Sequence, residues 1–124
     1  MAELQQMRNV LAVRDLQSSV AFFCDKLGFA IEFEVEGWCF LARDNFRLML
    51  GHCPDEREAR ETGNHSYFAY VRVTDIDALN DEFRGRGLSR IELPQDKPWG
   101  LREFGIETPE GHRIMFGQPL EAPP

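Results

Sequence analysis

No stretch of this sequence is apolar for the ~18 residues that a membrane span needs, and no basic excess marks a nucleic-acid surface. Its 14 Lys and Arg are outnumbered by 21 Asp and Glu, a net charge of −7. That balance suits plain solubility or a cationic partner, with no nucleic acid and no membrane expected. Cysteine is scarce: Cys24, Cys39 and Cys53 are odd in number and match no CxxC zinc or redox spacing. They read as reduced thiols, two of them in the core. The opening Met1–Gln6 lacks the basic-then-apolar plan of a signal peptide, and the reduced thiols are those expected of a cytoplasmic protein. His52, His65 and His112 are dispersed, with no HxH or HxxxH pair to seat a metal. What is present is ordinary for a globular chain: 43% hydrophobic and 28% charged residues exclude disorder, collagen and coiled coil. A length of 124 residues gives one domain, burying about two-thirds of its unfolded surface without disulfides.

The informative feature is an internal repeat. Val13-Arg14-Asp15-Leu16 and the stretch to Phe23 recur as Val73-Thr74-Asp75-Ile76 and the stretch to Phe83, offset by 60. In each copy an apolar strand ends at an Asp that can cap the coming helix. Phe22, Phe23 and Leu27, or Leu79 and Phe83, then lie on a sheet. A glycine, Gly28 or Gly87, stops each helix. Phe46-Arg47-Leu48-Met49-Leu50-Gly51 matches His112-Arg113-Ile114-Met115-Phe116-Gly117 at an offset of 66. Each follows a turn, Arg43-Asp44-Asn45 or Thr108-Pro109-Glu110-Gly111.

Ile31-Glu32-Phe33-Glu34-Val35-Glu36 alternates with period 2, which predicts a half-buried strand with Glu32, Glu34 and Glu36 on its wet face. Leu101 to Glu107 is the corresponding strand of the second copy. Each copy therefore reads βαβββ: module one at about 6–52 and module two at about 66–118 of a single domain, 1–124. The polar linker at about 53–65 has room for a short helix. The tail after Gly117, with Pro119, Pro123 and Pro124, is expected to fray.

Two stretches carry a resemblance: Val13 through Phe23 to Leu27-Gly28-Phe29, and Pro98-Trp99-Gly100-Leu101-Arg102-Glu103-Phe104 through Thr108-Pro109-Glu110-Gly111-His112. With the repeat, they make the chain resemble the vicinal oxygen chelate superfamily of glyoxalases, extradiol dioxygenases, fosfomycin-resistance transferases and bleomycin-resistance proteins. The Pro-Trp-Gly, Arg-Glu-Phe and Pro-x-Gly series is most similar to the bleomycin-resistance branch. The resemblance implies an α+β fold in which two βαβββ modules form a cupped mixed sheet, commonly in a homodimer. Enzyme members hold a divalent metal with His, Gln and Glu from the first and fourth strands of each module.

Carried onto this chain, those four positions are Arg8, Phe68, Met49 and Met115. Arg stays protonated, Phe has no lone pair, and a Met thioether is too soft for an oxygen-chelating cation. No metal, cofactor or catalytic residue is therefore assigned. His52 and His65 stand three residues from the expected positions. His112 reads as exposed. Glu103 and Glu107 share a strand face, either as surface carboxylates and partners for Arg102 or as contacts for a cationic ligand. Period-2 counting turns Arg8, Val10, Ala12, Met49, Phe68, Tyr70, Arg72 and Met115 toward the cup. It turns Leu11, Val13, Leu48, Leu50, Val71, Ile114 and Phe116 toward the helices.

By resemblance, Phe33, Trp38, Tyr70 and Trp99 are ligand contacts in a crevice at the dimer interface, joined by Arg8, Met49, Phe68 and Met115 of the lining. The leading reading is a metal-free small-molecule binding protein of the bleomycin-resistance type. It would sequester a flat polar ligand, such as a cationic glycopeptide, and do no chemistry. The alternative is a metal-dependent glyoxalase-, dioxygenase- or transferase-like enzyme, and a third class is a regulatory sensor. The acidic balance favours a cation while the lining arginines suit an anion, and the sequence leaves both open.

Overall fold

A computed structural model describes residues 1–121. The chain divides into two compact units, Met1–Glu58 and Ala59 onward, each built around one helix and one four-stranded sheet. The first unit runs β1 (Asn9–Val13), α1 (Leu16–Leu27), β2 (Ala30–Val35), β3 (Trp38–Arg43) and β4 (Phe46–His52). The second runs β5 (Tyr67–Arg72), α2 (Ile76–Gly85), β6 (Gln95–Asp96), β7 (Leu101–Glu107) and β8 (Arg113–Pro119), preceded by a 3₁₀ turn at Ala59–Ser66. Both sheets have the same order, β1-β4-β3-β2 and β5-β8-β7-β6, with only the first strand parallel to its neighbour. The expected pair of βαβββ modules is present.

The helix starts follow from the cap chemistry. Asp15 accepts the Ser18 N–H at 3.0 Å, and Asp75 accepts the Ala78 N–H at 3.2 Å. Gly28, at φ 75°, supplies the left-handed residue that ends α1, and its N–H returns to the Phe23 carbonyl. Helix α1 buries Ser19, Phe23 and Leu27 at fourfold spacing, against Leu11, Val13, Leu41, Leu48 and Leu50. In the second unit Phe83 of α2 meets Phe104 at 6.2 Å and Phe116 at 5.5 Å, and the latter two rings stack at 5.2 Å. These edge and stacked contacts form the centre of that core.

Several expectations fail for local reasons. Strand β2 is exposed along both faces, because it is the sheet edge and its register slips between Ile31 and Phe33. Only Cys39 is buried, while Cys24 and Cys53 are partly exposed. Burial, then the nearby Glu34 carboxylate, pushes the Cys39 thiol up to about 11, which makes it a poor nucleophile. Pro119 completes β8 instead of fraying, and Pro123 and Pro124 lie outside the described residues. His112 is buried, not exposed. Its N–H donates to Thr108 Oγ1 at 3.0 Å, its imidazole Nδ1 lies 3.4 Å from the same hydroxyl, and its ring meets Phe68 edge-on at 5.9 Å.

Two outcomes follow from this packing. Phe83→Ala should cost about 3–5 kcal/mol in urea unfolding, the usual range for an emptied aromatic core site, and a loss under ~1 kcal/mol would contradict the packing. Burial holds the His112 imidazole below its ordinary value, with Glu110 opposing. The unfolded chain then takes up the proton first. This contribution is fully present above about pH 6.5 and is lost as pH falls through the lower folded value. Thermal melts down to about pH 5 should decline more steeply in the wild type than in His112→Gln, and parallel declines would remove the assignment.

Candidate binding site

Strand register sets one face of each sheet. In the first unit, cross-strand partners line up as Val10, Met49, Phe40 and Phe33 in one row, and Ala12, Gly51, Trp38 and Val35 in the next. Four of these apolar side chains are exposed: Val10 59%, Phe33 57%, Val35 51% and Trp38 38%. The indole of Trp38 lies across Gly51, where an added Cβ would come within 2.9 Å of the ring. Phe33 meets Phe40 edge-on at 5.6 Å. The Arg8 guanidinium sits 5.2 Å over the Phe40 ring, donates to the Leu48 carbonyl at 3.3 Å and pairs with Glu32 at 2.7 Å. Its charge is thus matched within its own unit. Phe33, Trp38, Met49 and Arg8 thus lie on one face of the first sheet.

The second unit repeats the arrangement with polar groups added. Its rows are Tyr70, Met115 and Gly105, then Arg72, Gly117 and Glu103. Glu103 is buried at 6% exposure. The Tyr70 hydroxyl donates to Glu103 Oε2 at 2.7 Å, and the Trp99 indole Nε1 donates to the same oxygen at 3.3 Å. Tyr70 comes from β5 and Glu103 from β7, so their bond crosses the intervening strand β8 above Gly117. An added Cβ at Gly117 would stand 1.8 Å from the Tyr70 oxygen. The rings stay open to solvent, Tyr70 at 49% and Trp99 at 64%. Burial, then donation to Glu103, pushes the Tyr70 phenol up to about 12, against an opposing effect of Arg72. Trp99 stands in the turn between β6 and β7, closed by the Lys97 N–H to Leu101 carbonyl bond at 2.8 Å and the Gly100 N–H to Lys97 carbonyl bond at 3.0 Å. Arg102, one residue earlier than Glu103, bridges Asp77 and Asp96 instead of either expected glutamate.

Beside this group lies an open cavity of about 430 Å³, lined by Tyr67, Glu92, Gly105, Glu107, Arg113 and Met115 among others. The Gly105 N–H donates to Glu92 Oε1 at 2.7 Å. The Arg113 guanidinium lies 3.7 Å over the Tyr67 ring and donates to Ser66 Oγ at 2.6 Å and the Gly63 carbonyl at 3.0 Å. Arg90 pairs with Glu107 at 3.7 Å. The cavity therefore offers a thioether, a cation over an aromatic ring, and carboxylates.

Phe68 does not take its expected place toward the cup. The β5 register shifts between Tyr67 and Ala69, which leaves Tyr67 beside Met115 and Arg113 on the cavity wall while the Phe68 ring packs on His112. Sequence reasoning assigned no role to Tyr67, Glu92 or Arg113. It left Glu103 between surface and ligand roles. The repeated Gly51 and Gly117 were the available signal, because a glycine held inside a strand marks a close approach.

The residues at the four positions that the resemblance assigns to metal ligands do not fit a divalent cation. Arg8 is a cation, Met49 and Met115 are soft donors, and Phe68 has no donor at all. Among the described residues no three His, Cys, Asp or Glu lie close enough to hold an ion. No helix among them is long and apolar enough to cross a membrane.

Comparison with known proteins bears on this geometry. The model of the Glyoxalase/Bleomycin resistance protein/Dioxygenase superfamily matches residues 5–116. A bleomycin resistance protein of Geobacillus stearothermophilus is 28% identical over 125 residues, covering 90% of this chain and 95% of its own length. The bleomycin-binding protein of Streptomyces verticillus, solved with copper(II)-bleomycin, is 26% identical at a TM-score of 0.73, covering 94% of this chain and 97% of its own. A bleomycin resistance determinant encoded on the transposon Tn5 shares the fold at a TM-score of 0.79 and 24% identity, covering 94% and 98%. The repeat, the two matching sheets and these relatives agree: the chain belongs to the Glyoxalase/Bleomycin resistance protein/Dioxygenase superfamily, on the side of its bleomycin-resistance members.

Proposed function

We propose that this protein captures a bleomycin-type ligand stoichiometrically, without a metal of its own and without chemical turnover. The observation that carries the reading is the pair of solvent-facing rings, Tyr70 and Trp99, tethered by their polar tips to buried Glu103. Rings held this way offer flat faces to a planar ligand at little entropic cost. Met49 and Met115 adapt to an irregular outline. The net charge of −7 favours a polycation at long range. Arg8 and Arg90 are each matched by a carboxylate, which weakens the case for an anionic ligand. The relatives named for bleomycin resistance and bleomycin binding supply the ligand class.

The same reading takes the chain as one cytoplasmic domain that pairs with a second copy. The exposed face carrying Val10, Phe33, Val35 and Trp38 supports pairing, since so much apolar sheet face invites a cover. The crevice would then lie at the dimer interface.

Trp99→Ala should fold normally and weaken bleomycin binding about 2- to 12-fold, the scale of one lost aromatic contact. Unchanged affinity in a calorimetric titration would remove Trp99 from the site. Incubation with Mn, Ni, Zn or Fe should leave less than one tightly held ion per chain after dialysis. Stoichiometric uptake would favour the metal-enzyme alternative. Light scattering at micromolar concentration should report a dimer, and a monomer would remove the interface crevice.

A further inference from the structure

We infer that Glu103 is the positioning residue of the binding site, fixing the Tyr70 and Trp99 rings as a preformed stacking wall through one carboxylate oxygen. The inference deepens the binding reading above and rests on it for its affinity arm. Three features of the geometry carry it. Two donors from different elements, β5 and the β6–β7 turn, converge on Oε2 at 2.7 Å and 3.3 Å. The acceptor is itself buried at 6% exposure, so its position is set by the sheet and not by solvent. The path from Tyr70 to Glu103 crosses β8 where residue 117 has no side chain, and any Cβ there would fall 1.8 Å from the hydroxyl oxygen.

Trp99 shows why such an anchor matters. At 64% exposure its ring is poorly restrained by packing, and it sits in a turn. Without the bond to Glu103 the indole would sample several rotamers, and a ligand would have to order it on binding. Tyr70, at 49% exposure, is in the same position. The high phenol value of Tyr70 agrees with donation to a carboxylate. Glu103 need not touch the ligand. It acts through the rings that do.

The test separates this role from a general structural one. Metal-free bleomycin is titrated into the wild type, Glu103→Ala, Glu103→Gln and Gly117→Ala. The alanine variant should lose about tenfold in affinity, as expected for two released charge-assisted hydrogen bonds. Glutamine, which keeps an acceptor carbonyl, should recover most of it. Gly117→Ala, which displaces the Tyr70 hydroxyl but leaves Trp99 its acceptor, should lose a smaller part of the affinity although the carboxylate is intact. Two readouts need no ligand. In a Tyr67→Phe background, where Tyr70 is the one remaining tyrosine, absorbance titration should move the phenol down toward about 10 in Glu103→Ala and Gly117→Ala. In a Trp38→Phe background, where Trp99 alone emits, fluorescence anisotropy should fall in Glu103→Ala, whereas Gly117→Ala, which leaves Trp99 its acceptor, should keep the wild-type value.

A folded Glu103→Ala that binds bleomycin like the wild type overturns the inference. So do Tyr70 and Trp99 signals that ignore the loss of Glu103. If alanine does not fold, Glu103→Gln and Gly117→Ala carry the comparison. If the wild type does not bind bleomycin, the proposed function fails, while the two spectroscopic readouts still decide whether Glu103 holds the rings.

Discussion

Close approach across a strand that lacks a side chain governs the face of each sheet. At Gly51 the indole of Trp38 occupies the space a Cβ would take. At Gly117 the Tyr70 hydroxyl does so on its way to Glu103. At Gly105 Met115 Sδ and Glu92 Oε1 crowd the same position. In all three cases a residue from a neighbouring element lies flat on the sheet because the strand beneath is bare. Glycine weakens a strand on its own, by lost entropy and lost packing. Its recurrence at matching places in both repeats reads as a cost offset by what the bare strand admits.

The same repeat explains how much was legible beforehand. Asp15 and Asp75 announce their helices because a short carboxylate at that spacing satisfies an orphan N–H. The βαβββ order and the apolar core positions follow from period and offset, whereas Phe33 and Trp38 came only from the family resemblance. Period counting assumes an unbroken register, and it fails where the register slips. The shift after Tyr67 sends Phe68 onto His112 and brings Tyr67 to the cavity. The shift after Ile31, on an edge strand, leaves the alternating segment exposed on both sides. His112 was misplaced because a Pro-x-Gly turn looks solvent-facing, whereas Thr108 folds back on it.

Glu103 was the least legible residue. A glutamate on a strand beside an arginine resembles half of a surface ion pair. Here Arg102 points the other way, to Asp77 and Asp96, because successive side chains alternate across a strand. The carboxylate therefore turns inward, where two aromatic donors satisfy it. A buried carboxylate is costly unless its donors are fixed. The rings and the acid thus stabilise one another, and the exposed ring faces remain available.

A site of this kind has stacking surfaces, a buried carboxylate and soft thioethers, and it has the wrong donors for a hard cation. On the function proposed above, it holds a flat ligand and does not transform it. Calorimetric titration of chelator-treated protein with metal-free bleomycin tests that claim most directly. The account expects saturable binding with no added metal and the full ligand recovered unaltered on release. Binding that appears only after a divalent cation is supplied, or a ligand returned chemically changed, would contradict it.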